Sequence, residues 1–354
     1  MPGGSDGGAA RIGPRMAAAA GFPPNRPRKA EPVPSCRRIA GFDRRRPGGS
    51  HQRRALTIRA LRSLFEELGG EIRTNVEVTR ITVERGRAVG VEFGRGACLA
   101  DMVVSNADVG HTYRDLLPGS ARRHWSARRL DRLRYSMSCF VLYLGVRRKY
   151  PQLKHHTLIV SEHYRDLLSN IFDDKTLPKD FSLWMHMPTA TDASMAPQGC
   201  ESLHVIVPVP NSESGIDWAK NGPGFADRVL DRIEMWGLQG LREHLEVMHT
   251  FAPGDFAVEL KATRGNAFAL EPRLTQTGWF RPHSRSEDVR DLYLVGAGTH
   301  PGAGIPGVLL SAEATYDCIA ADHGLPSAPD RDKPAAARTG GIAPERPSRS
   351  RPRQ

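Results

Sequence analysis

The sequence predicts an α/β (α+β) fold, in which a helix-flanked sheet is interrupted by a long, mainly antiparallel β region. Three patterns lead to this prediction: a helix followed by alternating strands over residues 56–104, short apolar runs separated by turns in the middle of the chain, and a strand, glycine loop and helix over residues 291–322. A chain of 354 residues has room for two domains, or for one large core with an insertion.

The first regular element is a helix that begins near Leu56. Its apolar residues lie mostly three or four positions apart, which predicts one buried helical face, and the pair Gly69-Gly70 is a typical helix stop. The predicted face comprises Ile58, Leu61, Leu64, Phe65 and Leu68.

Two groups of strands are predicted after this helix. Apolar runs separated by turn glycines predict the first group at 76–78, 81–83, 89–93 and 102–104. Similar runs predict the second group, a mainly antiparallel sheet, at 139–144, 158–160, 181–185 and 203–207. The apolar spacing over 225–245 predicts a helix beside this second sheet.

The C-terminal pattern is the most informative part of the chain. Residues 292–295 form a short apolar run that suits a buried strand, and five glycines between Gly296 and Gly307 then interrupt any regular element. Helical spacing returns after the glycines, at Val308, Leu309, Ala312, Ala314, Thr315, Cys318 and Ile319. Glycines let backbone N–H groups approach an anion, and a helix N-terminus adds unpaired donors, so this junction predicts an anion-binding loop.

The loop contains a literal G-x-G-x-x-G at Gly302, Gly304 and Gly307, but it differs from a dinucleotide-binding turn. Pro306 lies inside the motif, and no room remains for an acidic residue at the end of a second strand about twenty residues further on. A loop that only closes a strand–helix corner is the alternative interpretation of these glycines.

The charge distribution argues against a nucleic-acid partner. Residues 1–54 hold twelve Lys/Arg and three Asp/Glu, and residues 324–354 hold seven and three, which leaves −2 of the formal +11 for the rest of the chain. The high net charge is therefore a property of Pro- and Arg-rich tails, which are typical of disordered segments. We predict that residues 1–55 and 324–354 are disordered and that no nucleic acid is bound.

Other motifs exclude further classes of function. The histidines His155, His156 and His186 have no carboxylate or cysteine at metal spacing, and H-E-x-x-H, G-x-S-x-G and P-loop motifs are absent, so we predict no metal site. Five scattered cysteines without C-x-x-C spacing indicate reduced thiols. With no apolar run long enough to span a membrane and no export signal, we expect a cytoplasmic protein that is soluble or peripheral to a membrane.

The glycine loop and several upstream segments resemble the bacterial phytoene desaturase family, the FAD-dependent carotene desaturases of the flavin amine oxidase superfamily. Residues 292–307 are similar to the C-terminal flavin-contacting segment of that family, and the similarity is nearly continuous from about Leu56 to Ala321. The upstream segments are 105–108, 113–117, 150–153, 188–192, 254–256, 265–268, 271–272 and 276–283.

The resemblance implies a partial FAD/NAD(P)-binding Rossmann-like domain that is discontinuous. Residues 56–105 and 290–323 would form it, with an inserted substrate domain at 106–289 built on the antiparallel sheet. Family members begin with a strand, a glycine turn and a helix that hold the FAD pyrophosphate, and residues 1–55 do not resemble that unit. The chain is therefore expected to be truncated and to bind FAD weakly by itself.

The resemblance implies FAD contacts at positions in two segments. They are Val78, which matches the strand position beside the adenine, and Gly296, Gly298, Thr299, His300, Gly302, Gly304, Ile305, Pro306, Gly307 and Val308 in the glycine loop. No catalytic residue is assigned. His300 is the candidate for proton handling, and the alternative is a histidine that only packs or hydrogen-bonds in the loop.

The activity implied by the resemblance is the FAD-dependent desaturation of phytoene or a related carotene in carotenoid biosynthesis. Such a long hydrophobic polyene has no polar handle, so shape and orientation over the flavin matter more than an acid–base pair. A partner membrane surface is expected because the substrate is insoluble. Two alternatives stay open: a non-catalytic remnant or binding module that retains the second half of the fold, and a desaturase of another carotenoid.

Overall fold

The fold is given by a computed structural model, which describes residues 16–19, 50–94 and 96–326. The strands are β1 Met16–Ala19, β2 Val78–Glu84, β3 Arg87–Phe93, β4 Gly96–Leu99, β5 Met102–Ser105, β6 Ser138–Val146, β7 His156–Ile159, β8 Leu183–His186, β9 Glu201–Val209, β10 Leu245–Phe251 and β11 Leu292–Leu294. The helices are α1 Ser50–Glu67, α2 Val109–His111, α3 Ala127–Arg132, α4 Tyr164–Phe172, α5 Trp218–Trp236, α6 Pro253–Glu259 and α7 Ile305–His323.

The strands form three sheets. One is a parallel sheet of order β1-β5-β11, the second is the antiparallel meander β2-β3-β4, and the third is a five-stranded antiparallel sheet of order β10-β6-β9-β8-β7. Strands of the third sheet lie between the two segments that supply the parallel sheet. This arrangement agrees with the predicted α/β (α+β) fold and its inserted antiparallel sheet.

The parallel pairing of β11 with β5 joins the two distant segments of the chain. Val103 pairs with Leu292 and Ser105 with Leu294, and the Val295 N–H donates to the Ser105 carbonyl at 3.0 Å. Val103, Leu292 and Leu294 belong to one buried apolar cluster with residues of the meander such as Ile81. The resemblance implies that these two segments form one domain, and the parallel pairing joins them in one sheet. The domain boundaries stay predictions.

The structure differs from the sequence analysis near the N-terminus. Strand β1 pairs in parallel with β5, and helix α1 begins at Ser50, although no element is predicted before Leu56. Most of the two segments predicted to be disordered, 1–55 and 324–354, lie outside the described residues.

The antiparallel sheet is covered on one face by helix α5. Leu203, Val205 and Val207 of β9 and Val229 and Ile233 of α5 are buried in the same apolar cluster. They alternate along the strand and recur every four positions along the helix, so both periodicities point to one core.

The predicted helix 225–245 is wrong in its second half. Asp217 caps the N-terminus of α5 by accepting from the Ala219 N–H at 3.0 Å, and the helix ends at Trp236. Gly237 then adopts φ 137°, which an L-residue rarely does, and Leu245 begins strand β10.

The apolar face predicted for α1 is present but exposed. Ile58 is 67% exposed and Leu61 59%. The helix does stop where predicted, because Gly69 has φ 87° and the Gly70 N–H donates to the Phe65 carbonyl at 2.8 Å. No apolar surface of the described residues covers this face. Among the described helices, none has both the length and the apolar character needed to cross a bilayer.

Paired alanine substitutions test this distribution of core and surface. Ile233→Ala removes a side chain of zero exposure, and we expect a loss of about 2–5 kcal/mol in the free energy of unfolding. Leu61→Ala changes an exposed side chain and should stay within about 0.5 kcal/mol of the parent. Urea unfolding followed by circular dichroism measures both. If Leu61→Ala lowered the free energy of unfolding as much as Ile233→Ala, the apolar face of α1 would have to be packed against another surface.

Candidate flavin site at the parallel-sheet edge

Two strands of the parallel sheet end side by side, and the candidate site lies at this edge. Strand β5 continues into Asn106 and Val109, and β11 continues into the glycine loop. A Cβ placed on Gly296 would meet the side chain of Asn106, and one on Gly298 would meet Val109. The two loops therefore approach each other closely at the carboxyl ends of parallel strands, where open α/β sheets bind ligands.

Hydroxyl groups attach the start of the glycine loop to helix α7. The Gly296 N–H donates to Ser311 Oγ at 2.9 Å, and the Thr299 and Ser311 hydroxyls lie 2.7 Å apart. Thr315 Oγ1 donates to the Leu294 carbonyl at 2.9 Å. Since these three side chains are buried, each bond is shielded from water and fixes where the helix begins relative to the strand.

A buried guanidinium holds the loop from the other side. Arg281 is 4% exposed; its Nε donates to the Thr299 carbonyl at 2.9 Å and its Nη2 to the Ala297 carbonyl at 2.6 Å. Burial lowers the pKa of Arg281 below its ordinary value. Within the described residues Arg281 has no ion-pair partner, so the loop carbonyls provide its main compensation for lost hydration.

Helix α7 begins at the end of the loop without a side-chain cap. Gly304 is the N-cap residue, with φ 98° and ψ 151°, and Pro306 follows in the first turn. A Cβ on Gly304 would meet nothing within 4 Å, whereas one on Gly307 would lie 2.5 Å from the Gly302 carbonyl oxygen. The backbone of this turn is thus open to an approaching group while the turn itself is tightly folded. Such a cradle suits a polar or anionic ligand that accepts hydrogen bonds.

The structure brings together ten of the eleven predicted contact residues. The buried ones are Gly296, Gly298, Thr299 and Gly302; the exposed ones are His300, Gly304, Ile305 and Pro306; and Gly307 and Val308 are half-buried. Val78 lies apart from them, half-buried at the start of β2. It packs against the apolar cluster that contains Leu292 and Leu294, so the core connects it to the loop indirectly.

Asn106, Asp108 and Arg281 are not among the contact residues predicted from the sequence. Asp108 accepts from the His111 N–H and from Asn266 Nδ2, both at 3.1 Å, and from the Thr263 hydroxyl. It therefore ties the end of β5 to the loop that follows α6. The signal that could have identified Asn106 and Asp108 is the shared edge of two parallel strands, because they follow the run 102–104 as the glycines follow 292–295.

Comparisons with known proteins agree with this geometry. The family described as flavin containing amine oxidoreductase matches residues 53–319. A lycopene-forming phytoene desaturase of Paracoccus sp. is 46% identical over 277 residues, which cover 78% of this chain and 54% of that protein. A neurosporene-forming phytoene desaturase of Rhodobacter capsulatus is 41% identical over 285 residues, covering 78% and 53%. This chain thus spans about half the length of the curated relatives it matches.

A solved structure supports the fold. An oxidoreductase of Methanosarcina mazei superposes with a TM-score of 0.51 at 18% identity, covering 73% of this chain and 53% of that one. Together with the family match, this agrees with the discontinuous flavin-binding fold and the FAD cofactor expected from the resemblance. The chain therefore belongs to the flavin containing amine oxidoreductase family, and within it the chain is similar to bacterial carotene desaturases.

Proposed function

We propose that this chain takes part in the FAD-dependent desaturation of phytoene or a related carotene. The observation that carries the proposal is the open glycine loop at the common edge of β5 and β11, which ends in the uncapped N-terminus of α7. The names of the similar proteins support the substrate class, since they include desaturases of phytoene and of 4,4'-diapophytoene. The proposed substrate is therefore a carotene of this class.

The glycine loop fits the polar part of a flavin. The residues that would hold it are those of the segment from Gly296 to Val308, which includes the first turn of α7, and Arg281 fixes the loop through its hydrogen bonds to the Thr299 and Ala297 carbonyls. Val78 is proposed to contact the adenine through its backbone. The Asn106 side chain, exposed beside Gly296, is a further candidate for a polar contact at this edge.

Desaturation removes two hydrogens from adjacent carbons and leaves a new double bond. A flavin held by the loop would supply a two-electron acceptor for the hydride that leaves an allylic carbon. The proton from the neighbouring carbon passes to water or to a basic side chain, and the exposed imidazole of His300 is the candidate within the loop. The remaining task of the protein is to orient the hydrocarbon.

The sheet face opposite α5 is proposed to orient the polyene. Along β6, Phe140, Leu142 and Leu144 point into the core under α5, so Cys139 and Val141 lie on the other face, where both are still buried. Burial raises the pKa of the Cys139 thiol to about 12, so it stays neutral and apolar at physiological pH. At the Cys139 end of β6 this face is therefore apolar, which suits a hydrocarbon chain better than a charged substrate, whereas further along β6 Tyr143 lies against the His204 ring.

A single-turnover assay tests the proposed reaction. The assay uses the chain by itself and the chain extended with the N-terminal part of the Paracoccus relative, each incubated with FAD under anaerobic conditions. We expect phytoene to bleach the visible flavin absorbance of the extended chain while a longer conjugated polyene forms in equal amount, whereas the chain by itself should retain little FAD and form no coloured polyene. A flavin-loaded extended chain that neither bleaches nor produces a coloured polyene with phytoene, diapophytoene or ζ-carotene would favour the non-catalytic alternative.

Two glycine substitutions test the proposed cradle. Gly304→Ala forces an L-residue into φ 98°, which costs about 1–3 kcal/mol, and we expect FAD affinity to fall about tenfold or more in fluorescence titrations. Gly254→Ala is the matched control, because it lies in α6 with open space around it and no positive φ. Equal FAD affinity in the two variants would argue against the loop as the binding site.

We also propose that the chain docks peripherally on a membrane, since its proposed substrate dissolves in lipid rather than in water. Leu274 is 88% exposed and Trp279 80% exposed, and Phe280 beside it is also exposed. This apolar segment directly precedes Arg281, which holds the glycine loop. Tryptophan is favoured at membrane interfaces because it has an apolar body and a polar tip.

Liposome sedimentation at low salt tests the docking segment. The double variant Trp279→Ala/Phe280→Ala should bind liposomes about tenfold less than the parent, because a loss of about 1.4 kcal/mol in partitioning gives that factor. Trp236→Ala, at an exposed tryptophan at the end of α5, is the control and should bind as the parent does. Unchanged sedimentation of the double variant would place any membrane contact elsewhere.

A further inference from the structure

Three histidines that are separated in the sequence meet at one end of the antiparallel sheet. His156 of β7 pairs directly with His186 of β8, and His186 pairs with His204 of β9. Directly opposed residues project from the same face of a sheet with their Cβ atoms about 4.5–5.5 Å apart. His155 precedes β7 and turns its ring toward the same point, 4.7 Å from the His186 ring centroid.

The imidazole nitrogens of this cluster converge. His155 Nε2 and His186 Nε2 are 3.1 Å apart, and one ligand nitrogen from each of His155, His156 and His186 lies within 4.8 Å of the others. Tetrahedral zinc with Zn–N bonds of about 2.0–2.1 Å requires its nitrogens to be about 3.3 Å apart. One pair already has nearly this spacing, and the exposed His156 is the third candidate ligand.

The surroundings fix two of the three rings. His155 Nδ1 lies 2.7 Å from Thr191 Oγ1, and a hydroxyl that accepts from Nδ1–H leaves the lone pair on Nε2, which faces His186. This is the arrangement by which metal-binding histidines are oriented through their second nitrogen. His186 is 3% exposed, and its ring lies parallel to Trp184 at 11°.

We propose that His155, His156 and His186 form a binding site for a borderline divalent transition-metal ion of the Zn²⁺ type, with a fourth position open to solvent. Imidazole is the ligand that Zn²⁺, Cu²⁺ and Ni²⁺ accept readily, whereas Mg²⁺ and Ca²⁺ prefer oxygen. The ion would link the edge strand β7 to β8. Spacing along the chain predicts no metal site, because the three histidines come together only through the register between strands.

Zinc titration of the full chain, free of added purification histidines and stripped with chelator, tests the site. We expect one Zn²⁺ per chain in competition with a chromophoric zinc indicator, and a rise in the thermal unfolding temperature as Zn²⁺ is added. His156→Gln and His186→Gln should each weaken Zn²⁺ binding at least tenfold. His163→Gln, at an exposed histidine outside the cluster, is the matched control and should bind as the parent does.

The alternative is a plain N–H···N hydrogen bond between His155 and His186, for which the 3.1 Å separation is also suitable. In that case the parent and His156→Gln would bind Zn²⁺ equally weakly, and this result would overturn the proposal. Should His186→Gln fail to fold, the exposed His156 still decides the question, since its replacement leaves the sheet core intact. The result does not depend on flavin binding or on desaturation.

Discussion

The parallel pairing of β11 with β5 is the contact on which the candidate site depends. It places Leu292 beside Val103 and so brings a C-terminal loop against residues that follow an N-terminal strand. Without this register, Gly296 would not lie against Asn106, and the loops that follow the two strands would not meet at one edge of the sheet. The apolar cluster of Ile81, Val103 and Leu292 supplies the burial that favours the pairing, because the strand itself is only three residues long.

The buried charge of Arg281 is the second constraint. A guanidinium removed from water is costly unless its donors are satisfied, and here two of them bind the Thr299 and Ala297 carbonyls. Hydrogen bonds from a charged donor contribute about 1.5–3 kcal/mol each, and leaving either partner unpaired would cost a similar amount. Arg281 therefore holds the loop through the Thr299 and Ala297 carbonyls, and the bond between the Thr299 and Ser311 hydroxyls attaches the loop to helix α7. Gly304, which has open space around it, is left for a ligand.

The periodicity of apolar residues predicted most of the strands, and the run of glycines predicted the loop. The prediction of helix 225–245 was wrong where glycines with positive φ end the helix. Leu238, Leu241 and Leu245 continue the apolar rhythm of α5, but Gly237 and Gly240 both have positive φ, so the chain leaves the helix. Similarly, helix α1 has the apolar face that its spacing predicts. Spacing does not show which surface, if any, covers that face, and Ile58 and Leu61 are exposed.

The candidate site illustrates the same limit. The glycines could be predicted as a ligand loop, since their type and order carry the chemistry, whereas Asn106 and Asp108 belong to the site only through pairing across the sheet. The histidine cluster is the extreme case. His186 lies thirty residues after His156, and the register of β7 on β8 brings it beside His156 and the preceding His155.

The central claim, that the glycine loop is the flavin cradle, is tested most directly by amide hydrogen exchange with and without excess FAD. The measurement should be made on the chain by itself and on the chain extended with the N-terminal part of the Paracoccus relative. The account predicts slower exchange in residues 296–309 when FAD is present, and unchanged exchange in the antiparallel strands β8 and β9. Protection confined to other segments, with the loop unaffected while FAD is bound, would contradict it.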